Sequence, residues 1–149
     1  MNQDFLGRGW SFPPNFDRAG ARVDMLEEEA DIASSLEVLL STTPGERIMQ
    51  PFYGCNLSEL VFESLDTRMK TLMADKVESA ILYFEPRITL ESVNLDDSLE
   101  LEGIVQIEVV YQVKSTNSRF NFVFPYYKLE GTDINLTTTI SLLPDNAEP

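Results

Sequence analysis

Between Phe84 and Ile88 the hydrophobic pattern of this chain changes its period, and few folds accommodate that change. Before it, Leu57, Leu60, Val61, Leu65, Met69, Leu72, Met73, Val77, Ala80, Ile81 and Phe84 recur at steps of three and four. That is the spacing of one helix face. After it, apolar residues recur at every second position, the spacing of a strand with one buried face. Pro86 disfavours helical backbone at Glu85, so the helix is expected to end near Phe84. Asn56 or Ser58 is the expected cap at its start.

In the strand region, Ile88 and Leu90 share one parity and Val93 and Leu95 the other. A bulge near Ser92 reconciles them. Asp96-Asp97-Ser98 reads as a turn. Leu99, Leu101, Val105, Ile107, Val109, Tyr111 and Val113 then predict a long strand, and after Ser115–Ser118 turns, Phe120, Phe122 and Phe124 predict another, ended by Pro125. Upstream, Ala30, Ala33, Leu36 and Leu40, with Ile32 and Leu39, predict an earlier helix over Asp24–Leu40. Its acidic first turn suits the helix dipole, and Pro44-Gly45 stops it.

The expected fold is therefore α+β, two helices packed on a three-stranded antiparallel meander. Residues 1–23, with Gly7, Gly9, Pro13, Pro14 and Gly20 among aromatics, form an expected irregular arm. Residues 24–130 are the expected main domain, and 131–149 a C-terminal extension. In that extension Ile134, Leu136 and Ile140 alternate with polar neighbours, as in a strand. The Gly131-Thr132-Asp133 break before it favours donation to another chain over folding back.

Composition excludes several chemistries. The 149 residues hold no histidine, so there is no Ser-His-Asp or Cys-His unit and no imidazole metal site. One cysteine, Cys55, allows no internal disulfide, zinc knuckle or CxxC pair, and it is expected to be a small buried apolar residue. A net charge of -14 argues against nucleic acid and against an anionic membrane surface. Residues 1–17 lack the pattern of a secretory signal, and no apolar run is long enough to span a bilayer. The chain is expected to stay soluble in the cytoplasm, or to leave it only as part of something larger.

Acids are abundant, so a carboxylate pair for glycoside hydrolysis must be weighed, with Glu46 and Glu85 as candidates. The competing reading makes them ion pairs with Arg47 and Arg87. Glu85-Pro86-Arg87 is then either an internal strut at the helix-to-sheet junction or a charged anchor for another subunit. Gly7-Arg8-Gly9 and Pro44-Gly45-Glu46-Arg47 lack the spacing of phosphate loops. Met69 and Met73 fit a core.

The series Phe5-Leu6-Gly7-Arg8-Gly9-Trp10-Ser11-Phe12-Pro13-Pro14, Leu39-Leu40-Ser41-Thr42-Thr43-Pro44-Gly45-Glu46-Arg47 with Met49, Pro51 and Gly54, Glu85-Pro86-Arg87-Ile88, then Tyr111 and Pro125-Tyr126-Tyr127, resembles the baseplate wedge and sheath-initiator family of contractile injection systems. That family includes small baseplate proteins of contractile phages, phage-tail-like particles and the type VI secretion subunit TssE. The similarity covers about residues 4 to 130. It implies a non-enzymatic part of a six-fold baseplate, with no cofactor and no metal, assembled in the bacterial cytoplasm. The implied partners are the sheath protein and the larger wedge subunits, with spike or hub and tube-initiator proteins as further neighbours. By the resemblance Glu85, Pro86 and Arg87 would hold the wedge; Pro44, Gly45, Glu46 and Arg47 are a further candidate contact loop. Strand exchange with sheath is expected at the sheet edge or tail, through Phe120, Phe122, Phe124, Ile134, Leu136 and Ile140. A peptidoglycan hydrolase, suggested by the family's lysozyme-like label, and a free acidic binding module are the alternatives.

Overall fold

The structure is a computed structural model and describes residues 7–58, 64–127 and 140–142. Its elements in chain order are β1 (Arg8–Trp10), β2 (Phe16–Asp17), β3 (Arg22–Val23), β4 (Met25–Glu27), α1 (Glu28–Ser41), α2 (Thr67–Phe84), β5 (Ile88–Asp96), a short 3-10 turn (Glu100–Glu102), β6 (Ile104–Val113), β7 (Arg119–Tyr127) and β8 (Ile140–Leu142). Strands β5-β6-β7-β8 form one sheet, in that order, with every pair antiparallel. Both helices contribute to one core with the sheet: Ile32, Leu36 and Leu39 from α1, Met73, Val77 and Ile81 from α2, and Val105, Ile107, Val109 and Tyr111 from β6.

The change of period marks the real boundary. The Glu85 amide closes the last turn of α2 on the Ile81 carbonyl at 2.9 Å, and Ile88 opens β5. The bulge also falls where parity requires it. Leu90 faces Tyr111 and Ser92 faces Val110, so Glu91 is the extra residue. Ile88 and Leu90 before it then share a sheet face with Val93 and Leu95 after it. Pairing of Tyr111 with Phe120, Val109 with Phe122 and Ile107 with Phe124 continues that apolar face into β7.

Several expectations are corrected. Helix α2 begins at Thr67, capped by Asp66, whose Oδ1 accepts the Met69 amide at 2.8 Å; neither Asn56 nor Ser58 caps it. Leu57 and Leu65 are buried without being helical, so their spacing recorded burial and not backbone. Helix α1 begins at Glu28 and not Asp24, because Met25–Glu27 is a strand paired with Arg8–Trp10. The arm is likewise not irregular. It is a nested hairpin, with β1 on β4 outside and β2 on β3 inside. Gly9 lies within β1 opposite Leu26, Gly20 is in the turn between β2 and β3, and the Asp17 carboxylate accepts the Ala19 and Gly20 amides at that tip.

The long strand starts at Ile104. Leu99 precedes a 3-10 turn and Leu101 is fully exposed, the left-handed Gly103 (φ 78) separating them from β6. Pro125 does not end β7, which runs on to Tyr127 with Pro125 opposite Gln106. Proline is tolerated in a strand where its nitrogen points away from the neighbour. The described sheet has four strands and not three. Ile140–Leu142 folds back and pairs with Phe120–Phe122, against the expectation of a detached strand at that point. Ile134 and Leu136 lie outside the described residues. Met69 and Met73 are core residues, and so is Cys55, whose burial pushes its thiol pKa up to about 11.

Candidate interaction surface

The junction between α2 and β5 is a buried charge cluster. Glu85 follows the last helical residue and turns inward, leaving it 3% exposed. Pro86 sets the bend, and Arg87 reaches back over it. The Arg87 guanidinium donates twice to Glu85, Nε to Oε1 at 2.6 Å and Nη2 to Oε2 at 2.7 Å. Its Nη1 donates to Asp31 Oδ2 of α1 at 2.7 Å. One cation thus joins the end of α2 to the first turns of α1, in the fork geometry that favours arginine over lysine. The bonds to Glu85 hold the guanidinium pKa above its ordinary value, burial pulls it down, and Asp31 adds to the rise.

Asp31 is the member that sequence reading missed. It lies 56 residues from Arg87 and looks like one more dipole-favoured acid at a helix start. The arm closes over it. A Cβ built on Gly7 would sit 3.2 Å from Arg87 Nη1, and one on Gly9 would collide with Asp31 Oδ1. Gly7-Arg8-Gly9 is therefore not a phosphate loop but a close crossing of backbone over the charge cluster. On the sheet side, Lys114 Nζ donates to the Pro86 carbonyl at 2.9 Å and the Lys114 amide to the Arg87 carbonyl at 3.1 Å. Of the two readings of Glu85-Pro86-Arg87, the internal strut is present. Pro86 itself is exposed, so the bend also reaches the surface.

The loop after α1 meets this junction from the side. Tyr53 packs edge-on against Phe84 at 5.1 Å, and the Arg47 guanidinium lies 4.5 Å from the centre of the Tyr53 ring. Burial raises the Tyr53 pKa, Arg47 opposes that rise, and Glu85 adds to it. Glu46 accepts the Thr43 amide at 3.1 Å and does not make the expected pair with Arg47. Gly54 (φ +127) crosses the end of α1, where an added Cβ would collide with the Thr42 carbonyl. The Cys55 amide then donates to that carbonyl at 2.9 Å, and Tyr126 Oη holds the Leu57 carbonyl at 2.8 Å. Pro44, Gly45, Glu46 and Arg47 are all exposed at the surface. Phe120, Phe122 and Phe124 are not, being 6%, 0% and 5% exposed. The β7 backbone at Phe120–Phe122 is likewise taken, paired with β6 on one side and β8 on the other.

The sequence model of the family described as "Baseplate wedge protein gp25" matches residues 26–118, a span that holds both helices, the charge cluster and the first two strands of the sheet. The chain belongs to that family. The baseplate wedge protein gp25 of Enterobacteria phage T4 is 34% identical over 64 residues, which are 43% of this chain and 48% of that protein. The match therefore spans about half the length of that relative. A crystal structure from Geobacter sulfurreducens, described provisionally as a tail lysozyme, is 38% identical with a TM-score of 0.65. It covers 74% of this chain and 100% of that one. A chain of the anti-feeding prophage baseplate is 26% identical with a TM-score of 0.60, covering 85% and 90%. A chain of the postcontracted pyocin R2 baseplate, 24% identical at a TM-score of 0.54 and covering 68% and 99%, shares the fold. Among the described residues no helix is long and apolar enough to cross a membrane, and no group of His, Cys, Asp or Glu could hold a metal ion.

Proposed function

We propose that this protein is a non-enzymatic component of the baseplate of a contractile injection particle. It links the larger wedge subunits to the first sheath ring and starts sheath assembly by strand exchange. The coarser part of this reading, a baseplate wedge protein, rests on membership of the gp25 family across 26–118. The finer part is supported by one structural observation, the Asp31–Glu85–Arg87 cluster at the helix-to-sheet junction. A part that fixes sheath register must not flex between its wedge face and its sheet. This cluster bonds the α2–β5 junction to α1, the arm's backbone crosses closely over it, and Pro86 and the loop at Pro44–Arg47 are exposed. Backbone pairing at the sheet edge supplies register, and complementary charge selects the partner.

The hydrolase alternative fares poorly on chemistry. Both Glu85 oxygens accept from Arg87 and the group is turned inward, so neither is placed to reach a glycosidic oxygen. Glu46 is exposed and engaged with backbone. The test is electron microscopy of particles from the native host, comparing wild type with a deletion and a complemented strain. Bare tubes or loose baseplates in the deletion, restored by complementation, support the proposal. Normal sheathed particles without the protein sink it. Clearing of a cell-wall suspension by the purified protein would instead favour the hydrolase. A stable one-to-one complex with a soluble basic protein, away from any particle, would favour a free binding module.

A further inference from the structure

The arm carries its apolar face outward. Side chains alternate across a strand, and directly opposed residues share a face. In the β1–β4 ladder Gly9 opposes Leu26, and Trp10 opposes Met25. A Cβ built on Gly9 would collide with Asp31, so the Gly9–Leu26 face lies on α1. The other face, with Trp10 62% and Met25 36% exposed, points to water. Phe16 joins it: the ring is 60% exposed, meets Trp10 edge-on at 6.4 Å and opposes Val23 in β2–β3. An antiparallel sheet with one free face normally turns polar residues outward. Here the order is reversed, on a two-stranded ribbon of the kind that is marginal in water by itself. An exposed aromatic face built this way is one that a partner covers.

Charge and area point to the occupant. The chain's net charge of -14 drives copies apart. The arm is balanced: residues 8–27 hold Arg8, Arg18 and Arg22 against Asp17, Asp24 and Glu27. Beside the aromatic face, Arg8 is already paired with Glu27 at 2.9 Å. The face therefore has no net charge by which a charged partner could select it, and two acidic chains can approach here without opposing like charge. Area decides how firmly. Large aromatic side chains carry about 150–250 Å² each, so Trp10 and Phe16, with Met25 beside them, offer roughly 300 Å² of apolar surface per copy. Interfaces are about 57% apolar, which makes roughly 500 Å² per copy and about 1,000 Å² in all. That is the lower bound of a specific contact and suits reversible association.

We infer that the arm faces of two copies of this chain pack on each other about a two-fold axis, Trp10 and Phe16 of each covered by the other. This goes beyond the baseplate reading and does not rest on it. Trp10 is the chain's single tryptophan, so its fluorescence reports its own cover. The purified full chain is taken from micromolar to near-millimolar concentration, with mass read by sedimentation equilibrium. Dimer forms as concentration rises, and Trp10 emission shifts to the blue along the same curve. Added salt strengthens the dimer by screening net charge, the reverse of a contact held by ion pairs. Phe16→Asp and Met25→Asp each raise the dissociation constant about tenfold or more, which is about 1.4 kcal/mol. Phe16→Tyr, which keeps the ring, keeps the dimer. Leu101→Asp, on the exposed 3-10 turn, leaves it unchanged. A monomer at every concentration, its emission never shifting, overturns the inference and leaves the face to a different protein. Blue emission that does not depend on concentration also overturns it, because the chain's own residues would then cover Trp10. So does a dimer that neither Phe16→Asp nor Met25→Asp weakens, since the copies would then meet elsewhere. The series needs no particle, so its failure is distinguishable from a failure of the baseplate reading.

Discussion

Replacing Arg87 by methionine removes the cation while keeping much of the side chain's volume. Glu85, 3% exposed, then loses both bonds to its carboxylate, and Asp31, 13% exposed, loses its bond from Nη1. Breaking a buried pair by deleting one partner costs about 3–5 kcal/mol, because the remaining charge is left without compensation. Arg87 keeps 22% of its side chain in water, so solvent can screen part of the orphaned charge. The lower end, about 3 kcal/mol, is therefore expected. For a chain of 149 residues that corresponds to a fall in Tm of roughly 6–12 °C. Urea unfolding followed by circular dichroism reads the change directly. The variant Asp31→Asn/Glu85→Gln/Arg87→Met separates the role of the pair from the penalty of an orphan. With no buried charge left, it should recover more than half of the loss. Arg87→Lys should fall between wild type and methionine, since one ammonium cannot reproduce the two parallel bonds to Glu85. A loss below about 1 kcal/mol for Arg87→Met, within the range of an exposed pair, refutes the strut.

Three further outcomes are expected. Asp66→Ala removes the cap of α2 and should cost about 1 kcal/mol in urea unfolding, whereas Ser58→Ala should cost almost nothing. Gly9→Ala places a methyl group against the Asp31 carboxylate, which Arg87 holds in place, and should cost about 1–3 kcal/mol by thermal melting. Burial raises the Cys55 thiol from 9.0 to about 11 and the Tyr111 hydroxyl from 10.0 to about 12. A raised folded pKa means the native state holds its proton more tightly, so this stability is complete below the unfolded value and is lost as pH rises through the folded one. Unfolding free energy should therefore decline from pH 9 through 12, and Cys55→Ala should flatten the part between 9 and 11. An unchanged slope in Cys55→Ala would assign the decline elsewhere.

Much of this fold is legible because burial writes a period into the chain. The alternation around Ser92 even locates the bulge, since only an extra residue there returns Ile88, Leu90, Val93 and Leu95 to one face. Periodicity fails where burial and backbone part company. Leu57 and Leu65 are core residues on non-helical backbone, so α2 looks longer than it is. Leu99 and Leu101 continue the parity of β6 by chance, and nothing in that parity reports the left-handed Gly103 between them. The arm's pairing depends on Arg8–Trp10 meeting Met25–Glu27, a contact between short segments with no hydrophobic run to announce it. At the charge cluster, Glu85 and Arg87 are readable as a pair because they flank one proline at the helix-to-sheet junction. Asp31 is not, because the acidic start of α1 offers several equivalent carboxylates and only the packing of the two helices selects one.

The central claim is tested most directly by a cryo-electron microscopy reconstruction of intact contractile particles from the native host. The account predicts density for this fold in the baseplate, between the wedge and the first sheath ring. The bend at Pro86 should lie toward the wedge, and a sheath strand should be paired to the sheet. A reconstruction of a sheathed, contractile particle in which that position is filled by a different protein would contradict it.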